Sequence, residues 1–111
     1  MTRIVFVALM LAFAHTAAAQ DAATLDKGKQ VYSAQKCQVC HSIAGVGNKR
    51  GALDEVGSKL KAEEIRQWIV AAPEMTAKTK AERKPPMKSY TLPKDELEAL
   101  VAYLTTLKKK A

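Results

Sequence analysis

The sequence predicts an all-α chain built around something other than its own side chains, and three observations predict it. Apolar residues recur at helical spacing in three stretches, and no stretch alternates with the period of a strand. Aromatic residues are scarce: one Trp, three Tyr and two Phe in 111 residues, too few to fill a core. A composition that is 48% hydrophobic and 26% charged belongs to a folded chain, and the length to a single domain.

The opening segment reads as an address. Arg3 precedes an unbroken apolar run from Ile4 to Ala14, and the small residues Ala17-Ala18-Ala19 follow. A basic start, a short apolar core and an A-x-A site form the secretory signal pattern, so residues 1–19 are expected to be cleaved and residues 20–111 to form the domain. The alternative is an uncleaved anchor, but eleven apolar residues fall short of the ~20 that span a bilayer. Nothing downstream is apolar enough to span one, and the expected location is the periplasm.

Removing that segment sharpens the inventory. The remaining 92 residues carry 17 basic and 11 acidic side chains. Their one histidine is His41, their methionines are Met75 and Met87, and their aromatics are Tyr32, Trp68, Tyr90 and Tyr103. A single histidine excludes the paired-His zinc motifs and any iron held by two histidines. A chain this small commonly needs an extra staple or cofactor to hold it together.

The elements follow in order. Thr24 to Lys36 reads as a first helix, capped by Thr24, with Leu25, Val31 and Tyr32 near helical spacing. Gly28 inside it costs ~1 kcal/mol relative to alanine, unless another helix crosses there at close range. Residues 42–59 contain Gly45, Gly47, Gly51 and Gly57 without periodicity and read as a loop. Ala62 to Ala72 is the clearest short helix: Ile65, Trp68, Ile69 and Ala72 share one face, Glu63 and Glu64 suit its start, and Pro73 marks its end. Residues 74–91 read as a second, basic loop containing Pro85-Pro86. Pro93 then opens the last helix, with Asp95 and Glu96 in its first turn and Lys108-Lys109-Lys110 in its last. Leu97, Leu100, Val101, Leu104 and Leu107 form its apolar stripe.

The chemistry is concentrated in Cys37-Gln38-Val39-Cys40-His41. C-x-x-C-H is the attachment signature of c-type haem. Two thiols three residues apart can add to two vinyl groups on one porphyrin edge, and the next residue brings an imidazole under the ring. Three other readings are weaker. A thioredoxin-like pair needs a βαβ context. A zinc site would lack a fourth strong ligand. A disulfide across two residues is strained and closes too small a loop. For the second axial position the neutral candidates are Met75 and Met87, and a deprotonated lysine is also open. Met75 lies near a helix end and could simply fill a gap. Met87 follows two prolines that restrict its backbone, which favours it as the presented thioether. His/Met ligation raises the reduction potential.

Cys37-Gln38-Val39-Cys40-His41, Gly28 with Tyr32, Pro86-Met87, and Leu100 with Tyr103 resemble class I monohaem cytochromes c of the small, soluble bacterial kind. The likeness runs from about Ala23 to Lys108. It implies the cytochrome c fold, a small helical shell around one covalently attached haem, with Cys37 and Cys40 as thioethers and His41 and Met87 as axial ligands. It also implies that the first and last helices cross closely, with Gly28 against Tyr103. The sequence departs from the family's usual Gly-Pro before a leucine: Arg50-Gly51-Ala52 precedes Leu53. A backbone carbonyl near Gly51 could still accept the hydrogen bond that orients the ligand histidine. Trp68 falls where the family often places an aromatic near the haem, and reads equally well as core.

The expected function is that of an electron carrier, not an enzyme: a monomer passing single electrons between redox proteins. Lys78, Lys80, Arg83, Lys84 and Lys88 surround Met87 with only Glu82 opposing. Such a run is usually a solvated face, but here it would also steer partners with acidic docking surfaces. Nucleic-acid binding is a poor fit, because the basic stretch has no base-stacking aromatics. The alternatives are a dedicated haem subunit of a periplasmic oxidoreductase complex, and a haem enzyme or gas sensor with an open iron position.

Overall fold

The computed structural model describes residues 17–110. The expected signal segment, apart from Ala17–Ala19, lies outside them. Five α-helices and one small hairpin appear among the described residues: α1 (Ala17–Ala34), β1 (Ser42–Ile43), β2 (Val46–Gly47), α2 (Val56–Lys59), α3 (Ala62–Val70), α4 (Ala72–Thr79) and α5 (Lys94–Thr105). The fold is all-α, as expected. None of these helices is long and apolar enough to cross a membrane.

Helix α1 runs through Thr24 instead of starting there, because Ala17–Ala19, Ala22 and Ala23 are strong helix formers that extend it. It ends where Lys36 turns left-handed, at φ 57°. It crosses α5 at close range. A Cβ on Gly28 would lie 2.5 Å from Tyr103 Cβ and 2.9 Å from the Ala99 carbonyl carbon, so only glycine allows the approach. Val31 and Tyr32 of α1, Ile65 and Ile69 of α3, and Leu100, Val101 and Leu104 of α5 form the buried core. Ion pairs tie its outside: Lys27 bonds Asp95 across α1 and α5, and Arg66 of α3 donates from Nε (2.9 Å) and Nη2 (2.7 Å) to the Glu98 carboxylate.

The stretch 42–59 is more ordered than its glycines suggested. The chain reverses through Ala44 and Gly45 into a two-residue antiparallel pairing, Ser42 with Gly47 and Ile43 with Val46. A 3-10 turn (Lys49–Gly51) and α2 follow. Gly47, at φ 109°, is required by both its backbone conformation and its closeness to the Gln38 carbonyl.

Two helix ends depart from expectation at proline and lysine. Helix α3 stops at Val70, and Pro73, read as its terminator, instead stands in the first turn of α4. Proline suits that place because the first helical amides have no intrahelical acceptor. Met75 therefore lies within a helix. Helix α5 ends at Thr105, so Leu107 and the three terminal lysines lie beyond it. The tail instead docks on α2: Gly57 N donates to the Leu107 carbonyl and Lys109 N to Ser58 Oγ, each at 2.7 Å.

Candidate haem site

The C-x-x-C-H segment is a tight turn hung on the end of α1. After Lys36, Cys37–Val39 form a 3-10 turn, and the Cys40 and His41 amides both donate to the Cys37 carbonyl, at 3.1 and 2.9 Å. The hairpin closes over it: Asn48 N donates to the carbonyls of Gln38 and His41, and Asn48 Nδ2 to that of Val39. The turn thereby brings Cys37, Cys40 and His41 to the wall of one cavity of about 730 Å³, within the ~300–1,000 Å³ usual for cofactor sites.

Both thiols are free, Cys37 half-buried and Cys40 exposed. Burial, helped by the charge of the neighbouring Cys40, pushes the Cys37 thiol up to about 11. It is therefore protonated and weakly nucleophilic at neutral pH.

His41 Nδ1 lies 2.9 Å from the Gly51 carbonyl oxygen, and since a carbonyl can only accept, Nδ1 carries the proton. The other ring nitrogen, Nε2, keeps its lone pair for a metal. Burial holds the imidazole below its ordinary pKa; the Gly51 bond opposes this and the Arg83 charge adds to it. The orienting carbonyl thus comes from Gly51, in place of the proline that the family commonly uses.

Most of the remaining wall is apolar, with Leu53 from the stretch before α2, Ile65, Trp68 and Ile69 from α3, and Leu100 and Leu104 from α5. Trp68 faces the cavity. The segment after α4 completes it with Pro85, Pro86 and Met87. That segment has no regular structure, yet it is pinned: Ser89 Oγ accepts from Ala72 N at 3.1 Å, and Tyr90 N donates to the Ile69 carbonyl at 2.8 Å. Met87 is half-buried on the cavity wall. Met75, only 5% exposed, is packed in α4 and does not border the cavity. Of the two methionines, Met87 is the one that shares the cavity wall with His41.

Two cavity residues escaped sequence reasoning. Tyr32 looked like simple core, but it borders the cavity and its buried hydroxyl has no partner among the described residues. Burial raises its pKa to about 12. Arg83 looked like one more charge of a solvated run, but its guanidinium donates to the Cys40 carbonyl. The available signal was its residue type: it is the one arginine among the lysines of that segment.

The sequence matches the Cytochrome c family over residues 25–108. Neither the curated proteins nor the solved structures contain a match. The family implies covalently bound haem c, and the residues fit it. Two unpaired thiols, one imidazole with its second nitrogen already engaged, an apolar wall and an unpartnered buried hydroxyl meet at one cavity of cofactor size. No three His, Cys, Asp or Glu side chains gather to hold a bare ion among the described residues. With the matched segment running from Leu25 within α1 through the C-x-x-C-H turn and the whole of α3 and α5, the chain belongs to the cytochrome c family, whose members bind haem and transfer electrons.

Proposed function

We propose that this chain carries one haem c on Cys37 and Cys40, with His41 and Met87 as axial ligands, and acts as an exported carrier of single electrons between larger redox proteins. The observation that carries the reading is the shared cavity wall of Cys37, Cys40, His41 and Met87, from which Met75 is absent. Bound there, the haem supplies a one-electron ferric/ferrous couple.

The chain's own residues do the remainder. Gly51 fixes the imidazole so that Nε2 is the free donor. Ser89 and Tyr90 anchor the Met87 segment to α3 and α4, so little backbone freedom is lost when the thioether is engaged. The apolar side chains exclude water, which favours the less charged, reduced form of the site. With His41 and Met87 both holding the iron, no open position would remain for a substrate, which supports the role of a carrier over that of an enzyme. Lys78, Lys80, Lys84 and Lys88 are exposed in the segment around Met87, Lys88 on the cavity wall itself, and would supply the field that steers acidic partners. The segment 1–19 supports export to the periplasm.

The test is to express the full chain in a host with haem-attachment machinery and to fractionate it. The reading expects periplasmic protein beginning at Gln20, with one haem per chain that resists acid-solvent extraction. Extractable haem, a retained N-terminus or rapid carbon monoxide binding by the native ferrous protein would overturn it.

A further inference from the structure

Arg83 differs in kind from the other basic residues around it. Lys78, Lys80, Lys84 and Lys88 are exposed, although Lys88 also reaches the cavity, whereas Arg83 is half-buried on the cavity wall. Its Nη2 donates to the Cys40 carbonyl, and its Nη1 lies so close to Gly51 that a Cβ there would overlap the guanidinium. Gly51 is the residue whose carbonyl holds His41 Nδ1, at 2.9 Å. One side chain therefore touches the C-x-x-C-H turn and the loop that orients the histidine, from a position four residues before Met87. The ion pairs among the described residues are Lys27–Asp95, Arg66–Glu63 and Arg66–Glu98, and none includes Arg83.

We propose that Arg83 is a positioning residue that latches the Met87 segment onto the His41 side of the cavity, and that its half-buried charge favours the reduced state of the iron bound there. The inference rests on the His41/Met87 reading above. Reduction removes one positive charge from the site, so a fixed neighbouring cation favours it, and partial burial limits screening by salt. The guanidinium fork bonds the Cys40 carbonyl through Nη2 while its Nη1 packs at Gly51, a two-point contact that a lysine ammonium cannot reproduce. Latch and charge are therefore separable by substitution.

The test uses the full chain with its haem attached, comparing the wild type with Arg83→Lys, Arg83→Gln and Arg83→Met. Two quantities are read: the reduction potential, and the temperature at which the ferric sulfur-to-iron charge-transfer band disappears. Arg83→Gln, which keeps a donor but loses the charge, should shift the one-electron equilibrium roughly tenfold toward the ferric form, ~59 mV. Arg83→Lys should hold the potential within about threefold of wild type while losing the band at a lower temperature. Arg83→Met should show both losses. Potentials and band temperatures equal to wild type in all three variants would overturn the proposal and make Arg83 a solvated surface charge. A wild type that lacks the band overturns Met87 ligation, and the latch falls with it.

Discussion

Replacing Gly28 with alanine tests whether the α1–α5 crossing governs the fold. Alanine is the better helix former by ~1 kcal/mol, so at an exposed helical position this change stabilises. At Gly28 the new methyl would meet Tyr103 Cβ at 2.5 Å and the Ala99 carbonyl carbon at 2.9 Å, and would overlap the Ala99 oxygen. Two of those three atoms are backbone, so no side chain can swing away and the helices must part. Overpacking costs ~1–3 kcal/mol, and rigid neighbours place this case at ~3. Subtracting the helix preference leaves a net loss of ~2 kcal/mol. For a domain of this size that lowers the melting temperature by roughly 8–16 °C. The assay is thermal unfolding of the haem-loaded protein followed by far-ultraviolet circular dichroism, with Ser33→Ala, on the exposed face of α1, as the control. Ser33→Ala should leave the transition unchanged or slightly higher. A Gly28→Ala protein that melts at or above the wild-type temperature would refute the close crossing.

Three further outcomes are expected. Cys37→Ala with Cys40→Ala should leave an unfolded chain by circular dichroism. Without the attached group the apolar side chains around a cavity of about 730 Å³, Leu53, Ile65, Trp68, Ile69, Leu100 and Leu104 among them, would face water in place of a cofactor; a cooperative helical apo-protein would contradict this. Glu98→Gln should lower the melting temperature at pH 7 but not in acid. The hydrogen bonds from Arg66 hold the Glu98 carboxyl below its ordinary range. Its contribution is therefore present above the unfolded value of ~4.3 and lost as pH falls through the lower folded value, where the two melting curves should converge. Lys80→Glu with Lys84→Glu should slow electron transfer to an acidic partner at low salt without changing the absorption spectrum, and unchanged stopped-flow rates would reduce those charges to a solvated face.

The parts legible in the sequence were those whose determinants are adjacent or periodic. Cys37, Cys40 and His41 lie within five residues, so one local turn suffices to bring them together. The stripes of α3 and α5 repeat strongly enough to identify both helices. Elsewhere the deciding interaction was not local. Pro73 can end one helix or begin the next, and only the packing of Ala72 and Met75 selects the second. The terminal lysines suited a helix end, but docking of the tail on α2 drew the chain out of α5. The Gly51 carbonyl that orients His41 was anticipated through the family resemblance and not through its residue type, since every residue has a carbonyl. Arg83 was read for its charge, whereas its hydrogen bond depends on which backbone lies across from it.

The central claim is that His41 and Met87 together close the iron site, and methionine replacement tests it most directly. The measurement is the near-infrared charge-transfer band of the ferric protein, in Met87→Ala and in Met75→Ala. Met87→Ala should abolish the band, lower the potential and admit carbon monoxide to the ferrous iron. Met75→Ala should keep the band and cost only packing, about 2–5 kcal/mol for a buried methionine. A band lost in Met75→Ala and kept in Met87→Ala, or kept in both, would contradict the account.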